Sequence, residues 1–430
     1  MSHSARRRAP LIGLVASFFV SEVGTAASAV ALPWLVLVTT NSAGRTGLTG
    51  FVEMTPYVLL QATAGPLADR WGWRRTSVAG NALAAAAVGA IPLLSALDAL
   101  SFGALLGLVA VAGAARGTAD SATLPLVPGT AELGHVSNER AAGAYSAANR
   151  AGVLIGMPLA GLLIGVTSPA TVVLVDALTF AAAAVGLAAT IPAAVQDRAR
   201  SGAPPPARFD LHAYLGDLAE GLQFLRADRL LLGLATLVAV TNLFDQALTS
   251  VLLPVWARDE LHEATGIGIV GGTAAIGALV GVVVGAWLGE RLPRHLTFAV
   301  GYLLGGAPPF FALAAAATLP VPVVVTAVAG FFGGFLNPII GAVSFERIPP
   351  ELQARVLGAV KASAWLGLPL GSLLGGLLVQ TTGLDTALVA CGAIMLLVTA
   401  APSVFPVWRQ MNRRSPGAVG SGVSSQRTPR

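Results

Sequence analysis

"GPLADRWGWRR", residues Gly65 to Arg75, sets four charged side chains (Asp69, Arg70, Arg74 and Arg75) between two long apolar runs. The rest of the chain carries little charge: of its 430 residues 55% are hydrophobic and 11% charged, with a mean hydropathy of +0.74. Soluble domains carry roughly 25% charged residues, whereas a bilayer core needs about 20 apolar residues for each helix that crosses it. Apolar segments of that length recur along the whole sequence. The chain therefore reads as a polytopic membrane protein, and the charged stretch as one of its loops.

The N-terminus imitates a secretory signal, with Arg6-Arg7-Arg8, an apolar run and Ala27-Ser28-Ala29. The run continues to Val38 and is interrupted by Glu22, so a retained first helix is expected. Cys391 is the single cysteine, which excludes an internal disulfide and a cysteine-based metal site. Lys361, the single lysine, precedes Ala362 and not Ser or Thr, so no Walker A phosphate loop is present. No cofactor and no metal is expected.

Apolar runs between polar breaks predict twelve helices, near 11–39, 46–68, 76–96, 103–126, 142–167, 169–191, 229–256, 266–288, 296–318, 321–344, 355–380 and 384–405. An even number places both termini on one side, and Lys and Arg concentrate on the cytoplasmic side. With the N-terminus inside, 21 of the 26 basic residues are cytoplasmic, and inversion would reverse that bias. A multi-pass protein of the cell membrane with both termini cytoplasmic is expected. The isoelectric point near 10.1 then reflects orientation and contact with anionic lipid, not nucleic acid.

The polar stretch from Gln196 to Asp228 divides the spans six and six. The expected organisation is an N-terminal six-helix bundle (1–195), a cytoplasmic linker with an amphipathic helix (196–228), a C-terminal six-helix bundle (229–406) and a disordered cytoplasmic tail (407–430). Leu211, Leu215, Leu218 and Leu222 follow helical spacing, as in an interfacial helix, although a solvated linker helix accounts for them equally. The halves also repeat. "SEVGTAASAVALPW" (Ser21–Trp34) aligns with "NLFDQALTSVLLPV" (Asn242–Val255), and "RAGVLIGMPLAGLL" (Arg150–Leu163) with "KASAWLGLPLGSLL" (Lys361–Leu374). Helix 1 thus corresponds to helix 7 and helix 5 to helix 11.

Gly65-x-Leu67-Ala68-Asp69-Arg70-x-Gly72-x-Arg74-Arg75, after the second of twelve helices, resembles the cytoplasmic signature of the major facilitator superfamily. A degenerate partner follows helix 8 as "GAWLGERLPRH" (Gly285–His295). "SEVG" on helix 1, "VDALTF" on helix 6, "NPIIGAVSFERIPPELQARV" on helix 10 and "GLPLGSLLGG" on helix 11 resemble the drug and siderophore exporter branch, related to macrolide and enterobactin efflux proteins. The resemblance implies an all-α membrane fold of two pseudo-symmetric six-helix bundles, with helices 1, 4, 7 and 10 lining a chamber between them. It also implies that the loop is a conformational latch made by Gly65, Asp69, Arg70, Gly72 and Arg74, with Asp69 meeting the start of helix 11 near Arg355. In this reading Gly65 permits close approach of a neighbouring backbone.

Charge at mid-bilayer costs about 2.5–3.5 kcal/mol on insertion scales, so each such residue requires a reason. Glu22 on helix 1, with Arg116 and Asp120 one turn apart on helix 4, form the expected proton-coupling group. Arg116 and Asp120 equally fit a self-neutralising pair on one helix. Asn242 and Asp245 on helix 7 and Asn337 on helix 10 are the expected substrate-cavity residues. Glu53 and Asp176 fall nearer the external face, where exposure to water or capping is expected. Arg150 and Lys361 are expected as gate or interface cations. Asn337-Pro338 should bend helix 10, and "GGAPPFF" (Gly305–Phe311) should break helix 9.

The function expected is secondary active transport: proton-coupled efflux of an amphipathic small molecule (a drug, antibiotic or siderophore) by alternating access, with no catalytic residues. A lipid or lysophospholipid translocator of the same fold is the alternative. A polytopic membrane enzyme would need an extramembrane domain or a His/Asp/Glu cluster, and the sequence offers neither. The expected partners are the substrate and the lipid bilayer, with no nucleic acid, and the expected state is a monomer.

Overall fold

The computed structural model describes residues 3–193, 195, 211–288 and 291–412, which form helices joined by short connections, with no strand among them. Helices 1 to 6 are His3–Thr40, Ala43–Thr63, Trp73–Ala96, Phe102–Thr123, Asn138–Val166 and Pro169–Thr190. Helices 7 to 12 are Arg229–Leu261, Thr265–Leu288, Arg294–Ala315, Pro320–Arg347, Gln353–Thr382 and Leu384–Val404. Eleven are long and apolar enough to span a bilayer. The twelfth, helix 2, has 21 residues, about 31 Å at 1.5 Å per residue, and its hydropathy is lowered by Arg45, Glu53 and Gln61.

Backbone polar groups in lipid must be satisfied within the helix, so the starts and interruptions of the helices are chemically marked. Ser42, Ser101, Ser137 and Ser168 cap helices 2, 4, 5 and 6 by accepting a backbone N–H. Helix 9 breaks at Gly306–Ala307, because Pro308 and Pro309 cannot donate to the carbonyls of Leu304 and Gly305. Helix 10 breaks at Gly334–Phe335, a turn earlier than the Asn337-Pro338 bend expected. The cause is the same proline: Pro338 leaves the carbonyl of Gly334 without its i+4 donor. Helix 7 widens into π turns at Leu248–Leu252 and Ala257–Leu261, which its sequence did not announce.

The packing repeats. Helix 1 packs on 5 and 6, 3 on 4 and 6, and 2 on 4; equivalently, 7 packs on 11 and 12, 9 on 10 and 12, and 8 on 10. Between the halves, helix 2 packs on 11 and helix 5 on 8, again a symmetric pair. These inter-half seams close at the end of the bundle remote from Leu211–Ala227. There a Cβ on Gly47 would lie 2.8 Å from Cα of Gly376, and one on Gly161 would lie 3.1 Å from Cα of Gly268. Arg258 Nη1 also donates to Asn41 Oδ1 across the halves at 2.9 Å.

At the linker end, a helix over Leu211–Ala227 docks on the C-terminal half, with Gly221 against the backbone of Arg355. Leu225 is buried there with Leu230, Leu231, Val356 and Ala359. The side chains of Leu211, Leu215 and Leu218 lie outside the described residues, but Leu222 packs against protein in this cluster. The turn Pro406–Met411 joins it through Trp408 and Met411, 4% and 2% exposed. The disordered tail expected from 407 therefore does not include residues 407–411, because two large apolar side chains anchor this turn. Residues 413–430 lie outside the described residues.

Ion pairs surround this cluster: Arg347 to Asp228 at 2.8 Å, Arg294 to Glu346 at 2.7 Å and Arg355 to Glu220 at 2.5 Å. Asp228 also caps helix 7 through the N–H groups of Leu230 and Leu231. Burial opposes its ionisation, but the Arg347 hydrogen bond and these two N–H groups outweigh burial and hold the carboxyl below the usual aspartate range. A carboxyl so depressed stabilises the fold above its unfolded value, about 3.9, and loses that contribution as pH falls through the folded value. Asp228→Ala should cost about 1 kcal/mol for the cap alone, more with the ion pair, while Asp228→Asn keeps the cap. Thermal unfolding in detergent should rank wild type above Asn above Ala at neutral pH, and the differences should close only in strong acid.

Candidate functional site

The charges inside the bundle are organised by the seam between helices 2 and 4. Gly113 and Gly117 on helix 4 face the carbonyls of Glu53 and Tyr57 on helix 2 so closely that a methyl group at either position would collide with backbone. The helices run in the same direction, so residues four apart on one meet residues four apart on the other. Arg116 Nη1 lies 3.3 Å from Glu53 Oε1, and its guanidinium sits over the Tyr57 ring at 4.6 Å. One turn on, the Tyr57 hydroxyl donates to Asp120 Oδ2 at 3.2 Å.

The expected pairing is thereby corrected. Arg116 takes its carboxylate from helix 2 and not from Asp120 on its own helix, because the glycine seam brings Glu53 to the same level. Glu53, expected near water, is instead an ion-pair partner with 21% of its side chain exposed. Asp176 is 2% exposed and faces helix 1 near Gly24, so it is neither water-exposed nor a cap. Its backbone carbonyl accepts from the Thr179 hydroxyl at 2.7 Å.

Glu22 turns toward helix 5, where its Oε2 accepts from Asn149 Nδ2 at 3.1 Å and its backbone lies against Gly152. Phe18, one turn away, stacks on Tyr145 with ring centroids 4.0 Å apart. Arg116 and Asp120 lie within electrostatic range of Glu22, but Arg116 is in contact with Glu53. Four acids and one arginine thus share the interior of the N-terminal half.

A cavity of about 340 Å3 lies between the halves, lined by Thr25, Glu53, Tyr57 and Arg116 on one side and Gln246, Thr249, Ser250 and Leu368 on the other. The π turn at Leu248–Leu252 carries Thr249 and Ser250 into this wall. A second cavity of about 210 Å3, within the C-terminal half, is lined by the three expected residues Asn242, Asp245 and Asn337 with Thr241 and Tyr302. The structure therefore brings Glu22, Arg116 and Asp120 into one neighbourhood and Asn242, Asp245 and Asn337 into another.

The two cations at repeat-equivalent positions mark the two inter-half seams. Lys361 lies over the Trp365 ring at 4.2 Å, and Trp365 stacks on Tyr57 across the halves at 6.5 Å. Arg150 and Asn149 line a cleft of about 220 Å3 opposite Ala275, Ala278 and Leu279 of helix 8.

In the charged loop, Gly65–Trp71 is a short helix and Asp69 Oδ1 accepts from the Trp73 indole at 2.7 Å. Arg74 Nη2 donates to the carbonyl of Ala188 on helix 6 at 2.5 Å, and Arg70 is exposed. Among the described residues no atom outside its own chain neighbourhood lies within 4 Å of a Cβ built on Gly65, so they do not make the close approach expected there. The position that demands glycine is Gly72, with φ +98°.

Glu53, Tyr57, Tyr145 and Asn149 were not among the expected site residues. The signal for the first two is the matched spacing of Glu53-x3-Tyr57 and Arg116-x3-Asp120 beside Gly113-x3-Gly117. A double-mutant cycle on Glu53→Gln and Arg116→Met, read by thermal unfolding, should return a coupling of about 0.5–3 kcal/mol. The same cycle on Arg116 and Asp120 should return less.

The Major Facilitator Superfamily family model matches residues 14–244 and 235–427. The multidrug efflux pump Tap of Mycobacterium tuberculosis is 30% identical over 426 residues, 97% of this chain and 98% of that protein. A Tap pump of Mycolicibacterium fortuitum is 28% identical over 418 residues, covering 95% of this chain and 98% of its own. Among solved structures, a bacterial homologue of the human lysosomal transporter Spinster superimposes with a TM-score of 0.68 at 16% identity, over 97% of this chain and 100% of that one. The nucleoside transporter NupG does so at 0.67 and 15%, over 92% and 98%. The chain belongs to the Major Facilitator Superfamily: it is a multi-pass membrane transporter and not an enzyme.

Proposed function

We propose that this transporter exports an amphipathic small molecule, a drug, antibiotic or siderophore, in exchange for protons and by alternating access. The observation that carries the reading is the cavity between the halves, walled by an ion pair on one side and by Gln246, Thr249 and Ser250 on the other. The full-length kinship with pumps named for multidrug efflux supports export and a drug-like substrate. Loop charge supports a cytoplasmic linker end. The glycine contacts at the opposite end then form an external closure, and the Asn149–Arg150 cleft belongs to the cytoplasmic side.

In this proposal Glu22 carries the proton, with Arg116 and Asp120 setting its charge environment and Glu53 holding Arg116 while Glu22 is unpaired. A carboxylate that meets its cation in one conformer and parts from it in the other binds a proton in only one of them, which couples proton entry to substrate exit. Asp69, Arg70, Gly72 and Arg74 latch one conformer. Arg150 and Lys361 gate the two seams. Asn242, Asp245 and Asn337 contact the substrate from the C-terminal half.

Everted vesicles test the coupling. Wild type should concentrate a neutral dye, and collapse of the proton gradient should abolish accumulation. Glu22→Gln, which keeps size and hydrogen bonding but cannot titrate, should bind the dye without concentrating it; unchanged accumulation with unchanged pH dependence would remove Glu22 from the coupling role. The external closure is tested separately by Gly47→Leu. The added side chain should hold the seam apart, raise labelling of a cysteine at residue 50 from outside the cell, and cut transport about tenfold or more, as a cost of about 1.4 kcal/mol or above would.

A further inference from the structure

The second cavity carries an electrostatic imbalance that substrate contact alone does not use. Asp245 is solvent-accessible within it, although it lies midway along helix 7. Among the described residues its side chain makes no hydrogen bond or ion pair, and no Lys or Arg lines the cavity. This is the reverse of the N-terminal half, where Glu53 has Arg116 and Asp120 has Tyr57.

The helix interruptions add to the imbalance. The first segment of helix 9 ends at Gly305 and the first segment of helix 10 ends at Gly333, and both glycines line this cavity. The C-terminal end of a helix carries a partial negative charge of roughly half an electron. Pro308, Pro309 and Pro338 deprive the carbonyls of Leu304, Gly305 and Gly334 of helical donors, leaving them free to accept elsewhere. The Asp245 carboxylate, the neutral oxygens of Thr241, Asn242, Tyr302 and Asn337, and Gly305 and Gly333 at the two interruptions therefore surround the same space, which Leu336 at the start of the next segment of helix 10 also lines. Half-helix ends of this polarity are a means of coordinating a cation at membrane depth.

We infer that this cavity is a binding site for a monovalent cation, with Asp245 as its counter-charge. One carboxylate with neutral oxygens balances a single positive charge. Among the described residues no group of three His, Cys, Asp or Glu side chains exists to hold a more highly charged metal. The cation is an alkali-metal ion or the ammonium group of a substrate, since the two share this chemistry. The inference rests on the proposed role of Asn242, Asp245 and Asn337 as a binding cavity, but not on export or on proton coupling.

The test uses the purified full-length protein and no transport measurement. Thermal unfolding is followed while NaCl, KCl or tetramethylammonium chloride is titrated at equal ionic strength. One cation should raise the midpoint saturably and selectively. Asp245→Asn should weaken half-saturation about tenfold or more, as loss of a charged partner does. Asn337→Ala, which keeps the charge, should weaken it less. Selectivity for sodium or potassium identifies an alkali-metal site, and selectivity for tetramethylammonium identifies a site for an organic ammonium group. A response that is equal for all three salts, or that persists unchanged in both variants, overturns the inference. If Asp245→Asn does not fold, binding of radioactive sodium and of labelled tetramethylammonium to wild type and Asn337→Ala decides the matter. Absence of saturable binding of both to the wild type, or equal affinity in the two proteins, overturns the inference.

Discussion

Close approach of helix backbones through glycine is the interaction on which this structure depends. Lipid gives helices no hydrophobic reason to associate, so the free energy of contact comes from packing that small residues permit. Within the N-terminal half, Gly113 and Gly117 bring helix 4 onto helix 2, and that contact decides which carboxylate Arg116 meets. Between the halves, Gly47 with Gly376 and Gly161 with Gly268 repeat the device. Along helices 5 and 8 the contact at Gly161 and Gly268 gives way to a cleft at Asn149 and Ala275. The seam is thus closed over only part of its length.

The halves repeat in packing but not in charge. Each helix pair of the first half has its equivalent in the second, down to the two symmetric inter-half contacts. The interior acids of the first half, however, are mostly partnered, by Arg116, Tyr57 and Asn149. In the second half Asp245, without a charged partner among the described residues, faces two interrupted helices. A buried charge pair that loses one member leaves the other uncompensated at a cost of several kcal/mol. The first half thus holds its charges in pairs, whereas the second leaves one acid without a charged partner among the described residues. The ion pairs and apolar cluster at the linker end, centred on Asp228, Arg347, Leu225 and Trp408, tie the linker helix and the Pro406–Met411 turn to the C-terminal half.

The sequence by itself determined the membrane class, the positions of the twelve long helices, the six-plus-six repeat and the break in helix 9. These are local or additive properties: apolar length, loop charge and proline's missing donor act whatever the rest of the chain does. It also located most of the charges that matter, because an ionisable group in an apolar span is conspicuous wherever it occurs. The tertiary structure alone decided their partners. Arg116 and Asp120 lie one turn apart and read as a pair, yet the approach of helix 2 gives Arg116 to Glu53 and Asp120 to Tyr57. Glu22 faces Asn149, and Asp245 is left without a counter-charge among the described residues. Which face of a helix meets which neighbour depends on rotation about the helix axis and on contacts distant in sequence. Helical periodicity along one span does not encode that choice, and backbone contact at a few glycines does.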